Sequence, residues 1–205
     1  EVTEILSSAS HSQYAQLLQQ LRQRKREELE HLQEVIALLE EHQQQVDCFP
    51  QSLYQGSLMQ SPGYYCLDYR KNGQLICQSE AQRALLAQWM NQALYTRNYS
   101  PLPMAALDGA QVDHVIGLAV QEKYAAHVPL TPPVYRLPPQ RCALFCIRHN
   151  DGPALLEEGA QKVRRYLQEE KLTVCGQPYF IGEIPVFEEG EKIFYGRLFI
   201  PVEQP

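Results

Sequence analysis

The side chains best suited to meet a ligand are the aromatics. The chain holds twelve Tyr, six Phe and one Trp, and most of them lie after residue 50. Aromatic walls with a few polar handles suit a planar or lipophilic small molecule. An organic cation on such a wall gains about 0.5–2 kcal/mol of cation–π energy, and a nearby carboxylate adds a charge partner. Glu188 is a candidate acid, because it closes the mostly apolar stretch Ile184-Pro185-Val186-Phe187-Glu188. Glu189 and Glu191 follow it, so a plain surface acid is the competing reading. Trp89, Tyr166, Tyr99 and Tyr195 are candidate ligand-binding aromatics, each equally readable as core.

Signatures of catalysis are thin. There is no Gly-rich phosphate loop and no G-x-S-x-G. The six Cys (48, 66, 77, 142, 146, 175) form no CxxC and no Cys/His zinc spacing. Cys142 and Cys146 stand four apart on an expected strand, about 13 Å from each other, too far to bridge. We read them as reduced thiols of a cytoplasmic protein. His11, His31 and His42 fall on one long helix; His114, His127 and His149 are scattered without metal-ligand spacing. We therefore expect no catalytic residue, no metal and no cofactor.

Composition narrows the class further. With 44% hydrophobic and 20% charged residues, the chain reads as globular rather than disordered. Residues 1–47 carry four Lys/Arg against nine Asp/Glu, and the remainder fourteen against fifteen. Neither part is a basic footprint, which argues against nucleic-acid binding by these residues. No apolar run approaches the roughly 18 residues of a membrane span. The chain opens on Glu1 rather than Met, so we expect further chain upstream.

The elements that must position the aromatics begin with a long helix. Residues 10–46 lack Gly and Pro and are rich in Leu, Gln, Glu, Lys and Arg. Tyr14, Leu18 and Leu21, then Leu29, Leu32, Ile36 and Leu39, follow 3/4 spacing, a coiled-coil-like seam shifted around residues 24–28. Such a helix spans about 55 Å, too long for one small domain to cover, and reads as a dimerisation helix. The charged run at 23–30 reads as a solvated face. Pro50 biases Phe49 away from helical geometry, so we place the domain boundary near residues 47–56.

Beyond it the sequence says one thing twice. Leu58-Met59-Gln60-Ser61-Pro62, a strand at 64–69, the turn Asn72-Gly73 and a helix are followed by Val134-Tyr135-Arg136-Leu137-Pro138, a strand at 141–147, Asp151-Gly152 and another helix. Pro62 aligns with Pro138 and Cys66 with Cys142. Ser79-Glu80-Ala81-Gln82 is a capping box opening the first helix, which runs to about Leu94. Asp151-Gly152-Pro153 opens the second, to about Glu170. Residues 112–120 and 124–128 read as a hairpin, and Tyr99 as a loop residue. Residues 177–185 and 193–202 supply the last strands. The fold class is α+β, with two β-α-β-β repeats (56–130 and 131–203) in a mostly antiparallel sheet. Trp89 and Tyr166 hold nearly equivalent places in the two helices. A pseudo-twofold arrangement would turn both towards a central cleft.

These residues resemble a known group. The doubled half-pattern at Leu58–Tyr69 and Val134–Ile147, and the close Gly196-Arg197-Leu198-Phe199-Ile200-Pro201-Val202, resemble the GyrI-like effector-binding domain. The long helix, preceded by Glu1-Val2-Thr3-Glu4-Ile5-Leu6, resembles the linker of MerR-family transcription regulators of the multidrug-sensing, BmrR-like type. The resemblance implies a remnant of a DNA-binding domain at 1–9, a linker helix at 10–47 and an effector domain at 53–205. It implies a homodimer through residues 10–46 with antiparallel linkers, and a lipophilic or aromatic, cationic effector that activates a promoter. Promoter DNA and RNA polymerase would be met only through a winged-helix domain that these residues lack. Glu188, in Pro185-Val186-Phe187-Glu188, matches the family's pocket acid, while Gly190 stands where its pattern has Tyr. Two further readings stay open: a GyrI-like hydrolase of electrophilic compounds using Glu188 with Tyr195, and a protein-binding inhibitor module. The long helix favours the regulator.

Overall fold

The computed structural model describes residues 11–107, 110, 112–149, 157–188 and 190–203. The chain divides into two compact units, Glu1–Gln45 and Val46–Pro205. Helix α1, His11–Ser52, supplies all of the first that is described and runs into the second. Good helix formers dominate it, with exposed i,i+3 and i,i+4 pairs such as Lys25–Glu28 and Gln23–Glu27 along its charged stretch. The expected remnant at 1–9 lies outside the described residues.

The helix runs past Pro50, which the sequence reading set as a breaker. Phe49 is buried and stacks on Tyr195, ring centroids 6.0 Å apart. That tertiary contact overrides the local bias against a helical residue before proline. Pro50 has no N–H to give to Val46 O, so the last turn lacks one hydrogen bond, and Ser52 Oγ donates to Cys48 O at 2.6 Å.

The second unit is an open sheet with helices packed on it. In chain order its elements are β1 Gly56–Gln60, β2 Tyr64–Lys71, β3 Gln74–Leu75, α2 Glu80–Asn91, β4 Thr96–Pro101, α3 Met104–Leu107, β5 Val115–Gln121, a 3-10 helix Glu122–His127, β6 Tyr135–Leu137, β7 Arg141–His149, α4 Glu157–Glu169, β8 Thr173–Val174, β9 Tyr179–Glu188 and β10 Glu191–Glu203. The strand order is β1-β7-β10-β9-β4-β5-β2-β3, with β6 beside β2 and β8 beside β10. These named strands pair antiparallel. The class is α+β, as the sequence led us to expect.

Local signals held where local chemistry dictates them. Ser79 accepts from Gln82 N at 3.1 Å, and Gln82 Oε1 accepts from Ser79 N at 3.2 Å, which completes the capping box of α2. Asn72 and Gly73 take φ of 50° and 79° and close the β2–β3 hairpin. The expected hairpin at 112–128 is not formed. Residues 122–127 are a 3-10 helix, and β5 pairs with β2 and β4 instead. Tyr124 and His127, three apart, both meet the ring of Tyr95, at 5.6 and 3.7 Å. Three residues per turn puts both on one face; a strand would send them to opposite faces. Tyr99 lies within β4 rather than in a loop. The opening of α4 at 151–153 falls outside the described residues.

Side-chain alternation gives the sheet two different faces. One packs under α4: Ala143, Phe145 and Ile147 of β7 and Leu198 and Ile200 of β10 meet Ala160, Val163 and Leu167. The other gathers Tyr64, Cys66, Tyr99, Cys142, Tyr179, Ile181 and Phe199. This second face carries the candidate site.

Candidate ligand-binding site

Six strands contribute rings or thiols to this face. Tyr179 and Phe199, paired across β9 and β10, stack at 5.2 Å and 11°. Tyr64 stands edge-on to both at 6.4 Å. Tyr99 lies 6.2 Å from Tyr179, and Tyr135, from β6, meets Tyr99 edge-on at 6.4 Å. Such tilted and offset contacts are the favourable geometries for aromatic pairs.

Into this cluster β2 places one acid. Tyr64, Cys66 and Asp68 alternate on the strand, so all three share the face. Asp68 Oδ1 lies 3.0 Å from the Tyr135 hydroxyl, which is 3.2 Å from that of Tyr99. With Asp68 ionised, the single Tyr135 proton goes to the carboxylate and Tyr99 is the donor to Tyr135. With Asp68 neutral, its own O–H can donate to Tyr135, which then donates to Tyr99. Burial raises the Asp68 pKa above the ordinary carboxylate value, against the Tyr135 hydrogen bond, which lowers it. Burial likewise pushes Tyr99, Tyr135 and Cys66 upward, so all three stay protonated at neutral pH.

Gly117 makes this arrangement fit. It pairs with Asp68 on β2 and with Tyr99 on β4. A Cβ there would meet Leu67 O at 2.8 Å, Asp68 Oδ1 at 2.9 Å and the Tyr99 ring at 3.0 Å. On the far side of the cluster, the Tyr179 hydroxyl is buried without a hydrogen bond of good geometry. Ser61 and Gln140 lie near enough to oppose the upward push of burial on it.

The residues singled out in the sequence fall in different places. Tyr99 is in the cluster. Trp89 is fully buried on α2, and its Nε1 donates to Pro129 O at 3.0 Å. Tyr166 is half-buried on α4, edge-on to Phe145 at 5.3 Å, within the packing of the opposite face. Tyr195 stacks on Phe49. Glu188 ends β9, in register with Glu191 across the hairpin; only its backbone is described. It is seven residues beyond Ile181, about 23 Å along an extended strand. The structure thus groups Tyr99 with Asp68, Tyr135, Tyr179 and Phe199, which sequence reasoning did not single out. The available signal was Asp68 itself, a lone acid on the apolar face of Tyr64-x-Cys66-x-Asp68.

Among the described residues no group of three His, Cys, Asp or Glu side chains is placed to hold a metal ion. No described helix is long and apolar enough to cross a membrane. All six cysteines are free.

No protein-family model matches this chain, and no curated protein matches it. Solved structures similar to it include the following three. The C-terminal domain of EcmrR is 11% identical over 74% of this chain and 98% of its own, with a TM-score of 0.43. EcmrR in a cryo-EM complex with DNA is 10% identical over 100% of this chain and 78% of its own, at 0.46. A hydrolase from Listeria innocua is 8% identical over 78% and 97%, at 0.43. At these identities and scores, none of the three decides what this chain binds or does.

Proposed function

We propose that this chain is the effector-sensing and dimerising portion of a transcription regulator, and that it binds an aromatic or lipophilic cation against Asp68. The observation that carries this reading is a carboxylate hydrogen-bonded to one member of a cluster of aromatic rings. A desolvated acid beside ring faces favours a bulky organic cation, by charge and by cation–π attraction of about 0.5–2 kcal/mol. The site suits binding more than catalysis. Its phenols and its thiol are held protonated by burial, the reverse of an activated nucleophile.

The doubled unit read from the sequence is part of the proposal, and the sheet supports it. The central order β7-β10-β9-β4-β5-β2 reads alike from both ends once β2, β4 and β5 are matched with β7, β9 and β10. Cys66 then corresponds to Cys142, Tyr99 to Tyr179, Gly117 to Phe199 and Asp68 to Leu144. The two halves match in register but not in chemistry. The acid and the glycine stand in one; their counterparts in the other are Leu and Phe.

Residues 10–46 would join two copies. Leu29, Leu32, Ile36 and Leu39 of α1 are each about half exposed, on the 3/4 spacing of a coiled-coil seam. Promoter DNA and RNA polymerase would be reached through an upstream domain, in the cytoplasm. Effector binding would shift the dimer between two arrangements.

The test is a calorimetric titration with tetraphenylphosphonium and rhodamine 6G, on the wild type, Asp68→Asn and Glu188→Gln. Micromolar binding weakened tenfold or more by Asp68→Asn alone supports the reading. Loss in Glu188→Gln alone moves the acid to the hairpin tip. Binding of neither cation removes the cation sensor.

A further inference from the structure

The face that carries Asp68 also carries an unanswered positive charge. Arg197 of β10 is half-buried; its Nε is buried and makes no hydrogen bond, and its guanidinium carbon lies 5.7 Å over the Phe199 ring. Among the described residues no carboxylate pairs with it. Its cross-strand neighbour on β7, Cys146, cannot serve as a counter-charge, because burial pushes that thiol up and keeps it neutral. A buried guanidinium nitrogen without an acceptor is costly and calls for a partner.

Register fixes where Arg197 stands relative to the acid. Arg197 pairs with Ile181, Ile181 with Tyr99, Tyr99 with Gly117, and Gly117 with Asp68. The five residues form one row across five neighbouring strands. At roughly 4.8 Å per strand, the backbones of Arg197 and Asp68 are about 19 Å apart. A ligand that meets both side chains must therefore be elongated, with its charged groups on the order of 10–20 Å apart. The middle of the row is Ile181 and Tyr99, flanked by Tyr179 and Phe199; all four are buried, so a ligand reaches them only by displacing the side chains that cover them.

We propose that the effector is an elongated aromatic zwitterion, with a protonated amine on Asp68 and a carboxylate or similar acceptor on Arg197. This rests on the cation-binding reading above and adds the opposite end of the molecule. A planar guanidinium takes a carboxylate bidentately, and the opposed charges admit one orientation of the ligand.

Ciprofloxacin, a rigid aromatic acid with its amine at the far end, and its methyl ester form a matched pair of probes. Both are titrated by calorimetry into the wild type, Arg197→Gln and Asp68→Asn, with tetraphenylphosphonium alongside. The wild type should bind the acid at least roughly tenfold tighter than the ester. Arg197→Gln should bring the acid down to the level of the ester, and Asp68→Asn should weaken both. The comparison of acid with ester in the wild type stands even if a variant fails to fold. Equal binding of acid and ester, or binding of tetraphenylphosphonium but neither quinolone, overturns the Arg197 subsite and leaves the cation reading intact. No binding of any of the three overturns both.

Discussion

Gly117 and Asp68 face each other across β5 and β2, and a methyl group on the glycine would fall 2.9 Å from the carboxylate oxygen. The acid can occupy its place among the rings because the residue opposite has no side chain. Gly117→Ala should therefore lower stability by about 1–3 kcal/mol, the usual range for overpacking. The 2.8 Å approach to Leu67 O is to backbone, which cannot rotate away. Thermal unfolding followed by circular dichroism measures the loss. Affinity for tetraphenylphosphonium should fall in the same variant, because Asp68 and Tyr99 must shift.

Asp68 sets a pH dependence of known sign. Its folded pKa is raised, by burial first, so the folded chain holds that proton more tightly than the unfolded chain. The stabilisation is fully present below the unfolded value of about 3.9 and is lost as pH rises through the raised folded value. Over the same window the carboxylate appears and cation affinity should climb. Melting temperature and affinity measured against pH should show both trends in the wild type. Asp68→Asn should remove the affinity trend and flatten that part of the stability curve. An unchanged affinity profile in the variant would take the acid out of the site.

Trp89 tests a part of the core outside the ring cluster. It is fully buried and its Nε1–H is satisfied by Pro129 O. Trp89→Phe removes that bond and leaves a void, at about 1–3 kcal/mol. Urea denaturation should show a lower midpoint with an unchanged slope. Fluorescence of the native Trp89 should be blue-shifted, and it should respond to ligand only indirectly.

The exposed seam of α1 makes a prediction about assembly. Leu32→Asp with Ile36→Asp should convert a dimer into a monomer, read as a halved mass by light scattering. Both positions are exposed, so the folded content of residues 46–205 should survive. A wild type already monomeric at high micromolar concentration would remove the dimer.

What the sequence revealed and what it hid have a common cause. The capping box at Ser79 and the Asn72-Gly73 turn were legible because their chemistry is local. Strand β4, Thr-Arg-Asn-Tyr-Ser-Pro, was not, since it lacks the apolar alternation that marks a strand. It is held by pairing with β5 and β9, which no window of sequence contains. Phe49 stays helical through a partner 146 residues further on, counting from 49 to 195. The site was hidden for the same reason. Asp68 and Tyr135 meet only because β6 returns to lie beside β2.

That return has a counterpart at the other end of the sheet. β1 leads into β2 yet pairs with β7, while β6 leads into β7 yet pairs with β2. Each half of the sheet wears an arm that belongs to the other. Cutting the chain between β5 and β6 would strip the first piece of the strand that brings Tyr135, and the second of its border on β7. A fragment so made exposes a bare edge that another copy could fill. The same threading forces distant stretches to meet before either half is finished, which favours slow folding.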